Sequence, residues 1–450
     1  MTTSTTIHLS EVVGALSYAL DITEGQPVGH SLRCCWIGMH VGMRLGLAPA
    51  ELSDLYYTLL LKDIGCSSNA ARICQLYLAD DLRFKAGYKT VDSSLPDILR
   101  FLLAHTGRDS GLVERLQAMV HIARNGGEIS RELIETRCQR GAEIARSMRF
   151  SEAVAQGILD LDEHWDGSGQ PLGLVGAQIS LFGRIALMAQ VADVFFMRGG
   201  AQAAIAEVTS RAGRWFDPDL ASVLAALGQD AQFWAPLLAD DLNIRVVDLE
   251  PKSLMRAVDE AYLDDIAAGF ARVVDAKSPF TAGHSDRVAL FADLIAEELA
   301  YTPERRRWIR RAALLHDIGK LGVSNSVLDK NGKLDEAEWA AIKRHPELGR
   351  TILSKISALR DLATVAGAHH ERLDGKGYPL GIAADEIDRD TRIVTTADIF
   401  DALTADRPYR KAMPVSRAFE IMDADVGTAI DPDCLAALKR GFARMEGVAA

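Results

Sequence analysis

The 450-residue chain has no cysteine in a useful arrangement. Its six cysteines, Cys34, Cys35, Cys66, Cys74, Cys138 and Cys434, form no CxxC pair and no even framework. They read as reduced and mostly buried thiols. Long apolar runs are also missing: none approaches the ~20 residues needed to cross a bilayer. The start, MTTSTTIHLSEVV, has neither the basic stretch nor the apolar core of a signal peptide. Both absences predict a cytoplasmic protein without a membrane span. Positive charge is in deficit, with 50 Lys and Arg against 62 Asp and Glu, a net charge of −12. That argues against binding long nucleic acid, while a local basic pocket for a small dinucleotide stays open. Strand-type alternation is scarce, and IRVVDLE is the one short candidate.

What is present is helical. Apolar residues recur at helical spacing in LSEVVGALSYALDI, LFADLIAEELA and IRRAALLHDIG. Glycine and proline gather in DGSGQPLG, DGKGYPLG and VDSSLP, which read as loops. The chain is 48% hydrophobic and 25% charged, an ordinary globular balance, and is long enough for two or three domains. NIRVVDLEPKS interrupts the helical pattern. A boundary is expected near residue 245, with one domain over 1–245 and a second over 246–450. The helical stretch LMRAVDEAYLDDIAAGFARVVDAK then serves as a connector between the halves or as the first helix of the second.

All five histidines of the C-terminal half fall into one pattern: His284, His316, His345, His369 and His370. Asp317 directly follows His316, and Asp398 lies downstream. Imidazole with carboxylate suits a pair of first-row metals such as iron or manganese better than calcium or thiolate-bound zinc. The usual work of such a pair is to activate water for attack at phosphorus.

These residues stand in blocks whose order resembles the HD-GYP family, a branch of the HD metal-dependent phosphohydrolases. The blocks are FTAGHSDRV, LLHDIGKLGV, RHPELG, HHERLDGKGYP and ADIFDALTADRPYR, running from about Ser278 to Met413. The resemblance implies that the five histidines, Asp317 and Asp398 ligate two divalent transition-metal ions, with Asp317 as the bridge. Some members hold a third metal through a glutamate four residues before the first histidine. Here that position is Phe280, which cannot ligate, so two ions are expected. Lys320 stands one helical turn past Asp317 and resembles the family lysine at the scissile phosphate. Arg407 and Arg410 resemble further phosphate contacts.

The first half reads as a worn copy of the second. GHSLR with His30 matches GHSDR with His284, and LLKDIGC matches LLHDIGK. EHWDGSGQPLG matches ERLDGKGYPLG. Most ligands are gone: Lys62 stands for His316, Arg137 for His345, Leu161 and Asp162 for the His369-His370 pair, and Gln190 for Asp398. Cys66 replaces Lys320, and Gln170 replaces the tyrosine of the GYP triplet Gly377, Tyr378, Pro379. Only His30 and Asp63 keep their ligand types, and they are expected to be core hydrogen-bonding partners. The copy carries extra residues, because positions 62 and 137 lie 75 apart against 29 for 316 and 345. The expected fold is all-α, two tandem HD-type helical domains packed as a pseudo-dimer.

The activity the resemblance implies is hydrolysis of cyclic di-GMP to linear pGpG, with further cleavage to GMP open. His316, Asp317 and Lys320 would carry the chemistry, and Lys320, Arg407 and Arg410 would hold the phosphates. Two alternatives are a slow or inactive signalling scaffold, and a phosphohydrolase for another cyclic dinucleotide. Protein partners under this reading are a cyclase-domain protein at the GYP loop and a second copy of the chain.

Overall fold

The computed structural model describes residues 7–89, 91, 95–108, 110–406 and 411–447. Among these there is no strand, only isolated bridges such as Asp166 with Val175, so the fold is all-α. No helix among them is long and apolar enough to cross a membrane. The chain divides into two compact units, Met1–Asp259 and Glu260–Ala450.

The first unit is built on α1 (Leu9–Thr23), α2 (His30–Arg44), α3 (Pro49–Leu61), α4 (Asp81–Tyr88), α5 (Leu112–Ser147), α6 (Glu152–Leu159) and α7 (Leu181–Ser210). Its core is apolar and fully buried, with Leu16, Leu20, Ile37, Leu59, Leu60 and Ile185 among its members. The extra residues between the KDIG and RCQRG blocks form short helices and the N-terminal part of α5. They bury a small cluster of their own: Ile73, Leu76, Tyr77, Phe84, Phe101, Ile122 and Ile129.

The second unit is built on α8 (Glu260–Asp275), α9 (His284–Glu298), α10 (Pro303–Leu315), α11 (Glu336–Lys343), α12 (His345–Ser354), α13 (Ala363–Ala368), α14 (Arg389–Thr404) and α15 (Pro432–Met445), with further helices, Val415–Ala424 among them, and turns between. Several of its helix starts are capped by side chains. Thr302 accepts from the Arg305 amide ahead of Pro303, and Asp388 accepts from the Thr391 amide. The core centres on Phe270, Val288, Ile295, Ile309, Leu315 and Phe400.

Two expectations are corrected. The boundary falls at 259/260 rather than near 245. Residues 246–259 are tied into the first unit: Val246 is fully buried, the Leu9 amide donates to the Arg256 carbonyl at 2.9 Å, and the Val258 amide to Ile7 at 2.9 Å. IRVVDLE is not a strand. Leu242–Val247 is a short helix that buries Leu242 and Val246, one turn apart. The long helical stretch starts only at Glu260 and opens the second unit.

The repeat is structural as well as sequential. The helices α2 and α9 both have 15 residues, and α3 and α10 both have 13. Gly29 and Gly283 precede α2 and α9 with left-handed φ of 85° and 66°, a region open to glycine at no steric cost. Asp21 accepts from the Ser31 amide and hydroxyl, as Asp275 does from Ser285. The glycine of each xDIG block touches backbone. A Cβ on Gly65 would lie 2.0 Å from the Arg137 carbonyl oxygen, and one on Gly319 would lie 1.9 Å from that of His345. Both approaches seat the turn after the aspartate directly on the next long helix. We expect Gly65→Ala to lower stability by about 1–3 kcal/mol through overpacking, read by denaturant unfolding of the full chain. An unchanged midpoint would show that this approach is not tight.

Candidate metal centre

The seven candidate ligands converge, and most come from helix ends. His284 opens α9, His316 closes α10, and Asp317 starts the turn that follows. His345 opens α12, and His369 and His370 follow α13. Asp398 lies in the middle of α14. Helix ends leave backbone groups unpaired, so a side chain there can bond the carbonyl three residues back. His316 Nδ1 does so to Ala313 at 2.6 Å, His345 to Ile342 at 2.7 Å and His369 to Ala366 at 2.9 Å. Each Nδ1–H donates to its carbonyl, which leaves the Nε2 lone pair facing inward.

The inward atoms form two groups. One is His284, His316 and Asp398, the other His345, His369 and His370, and Asp317 lies between them. Asp317 Oδ2 is 3.4 Å from His284 Nε2 and 3.3 Å from His316 Nε2. Asp317 Oδ1 is 3.3 Å from His345 Nε2 and 3.5 Å from His369 Nε2. One carboxylate thus offers one oxygen to each group. His284 Nε2, His316 Nε2 and Asp317 Oδ1 are buried without a hydrogen-bond partner. Buried lone pairs in such number are costly unless something cationic satisfies them. The donor set is imidazole and carboxylate, without thiolate, and suits first-row divalent ions.

Burial alone would lower His284, but Asp317, Asp401 and Asp398 raise it to about 9. Burial alone would raise Asp317, but His316 and Lys320 hold it well below the usual carboxylate range. Burial lowers His369 to about 4, and neighbouring His316 and His345 add to that, so it is neutral at pH 7. Lys320 is ion-paired with Asp317 and partly exposed, so its ammonium also faces the cleft. Val274, Phe280, Trp339 and Tyr378 line the same cleft. Phe280 offers this cleft a phenyl ring and no ligand atom. Arg407 and Arg410 lie outside the described residues.

Behind the ligands stand two carboxylates that sequence reasoning missed. His284 Nδ1 bonds Asp401 at 2.7 Å, and Arg287 Nε donates to the same carboxylate at 2.5 Å. Glu371 is buried beside His370 and accepts from the Leu380 and Gly381 amides, folding the GYP loop back. The signal for both was the repeat. Asp193 holds His30 at 2.7 Å and Arg33 at 2.5 Å, and Glu163 takes the Leu172 and Leu174 amides. Asp401→Asn should weaken transition-metal affinity roughly 10–100-fold, because such partners orient the ligand and raise its basicity. Metal retained after dialysis against graded chelator reads this directly, and retention equal to the parent would exclude an orienting role.

The corresponding space in the first unit is filled by its own cations. Lys62 is ion-paired with Asp63, donates to Gln190 Oε1 at 3.2 Å, and lies 3.0 Å from His30 Nε2. Lys89, just past α4, reaches in to Glu24 at 2.8 Å and Asp63 at 3.5 Å. Arg137 and Asp162 form an ion pair where His345 and His370 stand in the other unit. His30 is pushed down to about 4 by burial and by Lys62. Burial would raise Glu24, but Lys89 and Lys85 hold it at about 2. Asp63 is likewise held well below its usual range against its burial. Carboxylates depressed in this way stabilise above their unfolded value, 4.5 for Glu24, and lose that stabilisation as pH falls towards 2. We expect Asp63→Asn to cost about 3–5 kcal/mol by stranding buried lysines, and to flatten the acid side of the stability profile. Metal content should stay at the parent level, and a fall in bound metal would contradict this reading.

With this geometry in hand, the likenesses to known proteins are specific. A family model described as HD domain matches residues 103–220 and 270–434. The 3'3'-cGAMP-specific phosphodiesterase 3 of Vibrio cholerae is 56% identical over 437 residues, 97% of this chain and 95% of that protein. The cyclic di-GMP phosphodiesterase response regulator RpfG of Xanthomonas campestris is 37% identical over 214 residues, 47% of this chain and 56% of that protein. A crystal structure of a cyclic GMP-AMP-specific phosphodiesterase of V. cholerae shares 50% identity, covers 97% of this chain and 98% of its own, and superposes with a TM-score of 0.66. The chain belongs to the HD domain family, whose model matches stretches of both its halves.

Proposed function

We propose that this chain is a metal-dependent phosphodiesterase of 3'3'-cyclic dinucleotides, and that 3'3'-cyclic GMP-AMP is its preferred substrate. The observation that carries the phosphodiesterase reading is the Asp317 carboxylate divided between two histidine groups. The substrate choice rests on the cGAMP-specific relative, which matches nearly the whole chain, degenerate half included. Cyclic di-GMP is the second reading, supported by relatives named for that substrate over about half the chain. An intact ligand set argues against the pure scaffold.

In this reading His284, His316, Asp317 and Asp398 would hold one divalent ion, and Asp317, His345, His369 and His370 would hold the other, with iron or manganese suited to the donors. Such a pair supplies Lewis-acid charge and a more acidic water at phosphorus. The residues themselves do the positioning. Asp401 and the three carbonyls aim the imidazoles, so little reorganisation is needed during reaction. Lys320 places an ammonium beside the phosphate. Arg407 and Arg410 suit the remaining phosphate oxygens through guanidinium forks. Water adds to phosphorus in line, the bond to the 3'-oxygen breaks, and that oxygen takes a proton. The ring opens to a linear dinucleotide.

Turnover of 3'3'-cyclic GMP-AMP, cyclic di-GMP and cyclic di-AMP by metal-loaded protein, followed by chromatography, tests the reading. The mixed dinucleotide should be cleaved with the highest kcat/KM. Equal or better turnover of cyclic di-GMP would select the second reading, and no turnover of any would sink both. The double substitution His316→Ala and Asp317→Ala should abolish turnover while the far-UV spectrum of a helical protein is retained. Activity near the parent level would mean the centre lies elsewhere.

A further inference from the structure

We propose that Trp339 is the stacking platform for one purine of the substrate, an inference that rests on the cyclic-dinucleotide reading above. Trp339 sits on α11, a helix that buries none of its eight residues. Its indole is 45% exposed, yet it lines the cleft that also holds His284, Asp317, Lys320, His345 and Tyr378. A large aromatic surface left open on a short helix contributes little to the core, so its contact is sought in the cleft.

The helix start is pinned by hydrogen bonds. Asp335 accepts from the Glu338 amide at 2.9 Å, and Glu338 accepts from the Asp335 amide at 2.8 Å, a reciprocal cap at the start of α11. Lys330 donates to both oxygens of Glu338 at 2.6 Å and ties the helix to the preceding loop. After α11 only Arg344 intervenes before His345, so the indole is held at a set distance from a candidate ligand.

A row of rings leads outward from the centre to Trp339. The rings of His370 and Tyr378 lie 4.8 Å apart, and those of Tyr378 and Trp339 lie 6.2 Å apart at 65°. A nucleotide whose phosphate sits at Asp317 and Lys320 must lay its sugar and base along one wall of this cleft. On this wall the outermost ring is an indole, and every base has a π-face to stack on it. Lys343 Nζ stands 5.5 Å from the Trp339 centroid and 5.7 Å from that of Tyr378. A cation there suits the N7 acceptor that both purines share.

The test pairs Trp339→Ala with Trp339→Phe in the full chain. The alanine variant should raise KM for 3'3'-cyclic GMP-AMP roughly 5- to 150-fold, the range for one stacked base, with kcat much less affected. The phenylalanine variant should recover most of that loss. Calorimetric affinity for a phosphorothioate analogue that resists hydrolysis should fall in parallel, which reads binding apart from turnover. Unchanged KM and unchanged analogue affinity in the alanine variant would overturn the inference, even if the parent turns the substrate over well. So would an alanine variant that lost only the capture of a cyclase-domain protein, since the indole would then serve a protein partner. An unsubstituted protein that binds the analogue but cleaves no cyclic dinucleotide would sink the functional reading and leave the stacking role standing.

Discussion

Both units must bury a knot of polar groups at the same place in the same fold, and the burial has to be compensated by positive charge. In the second unit five imidazoles and two carboxylates face one another, and several of their lone pairs have no partner in the protein. In the first unit Lys62, Lys89 and Arg137 supply the cations, and Asp63, Glu24 and Asp162 are each paired with one of them. Uncompensated buried charge is costly, so a site that lost its ligands could persist only by gaining internal counter-ions. The Asp317 carboxylate and its counterpart Asp63 are the pivots. One offers its two oxygens to two histidine groups, and the other is neutralised by two ammonium groups.

What the two copies share shows which residues are scaffold. Asp21 and Asp275 hold the serine that follows each conserved histidine. Asp193 and Asp401 each clamp that histidine and an arginine one turn on. Gly65 and Gly319 let the turn after the aspartate rest on backbone. Arg184 pairs with Asp217 as Arg392 does with Asp431. These devices recur in the unit where only His30 and Asp63 of the seven ligand positions keep their residue type, so they serve packing and orientation. In the second unit the same orientation also serves chemistry, because a metal ligand works only when its lone pair is aimed.

The loop that carries the GYP triplet belongs to both categories. Its return is fixed by Glu371, as the matching loop of the first unit is fixed by Glu163. A Cβ on Gly377 would meet the backbone of Glu371 and Arg372 at 2.4 Å, so a glycine is needed for the close approach. Within the triplet itself only Tyr378 differs from the first unit, where Gln170 stands, and its ring lies against His370.

The helical class, the repeat and the candidate ligands were legible in the chain because each rests on local identity or fixed spacing. His316-Asp317 and His369-His370 are adjacent pairs, and the 32-residue interval from His30 to Lys62 recurs from His284 to His316. The boundary was misplaced because NIRVVDLEPKS looks like a break, whereas Val246 and the backbone of residues 256 and 258 are claimed by the first unit through distant partners. Asp401 is one aspartate among many in a helical stretch, and nothing local marks it as the partner of His284, 117 residues away. Lys89 comes from residues with no counterpart in the other copy, so no spacing could place it beside Asp63. Residue type and interval determined what chemistry the chain could do. Long-range packing alone decided which charges share one buried space, because burial is a property of the assembled helices and not of any segment of them.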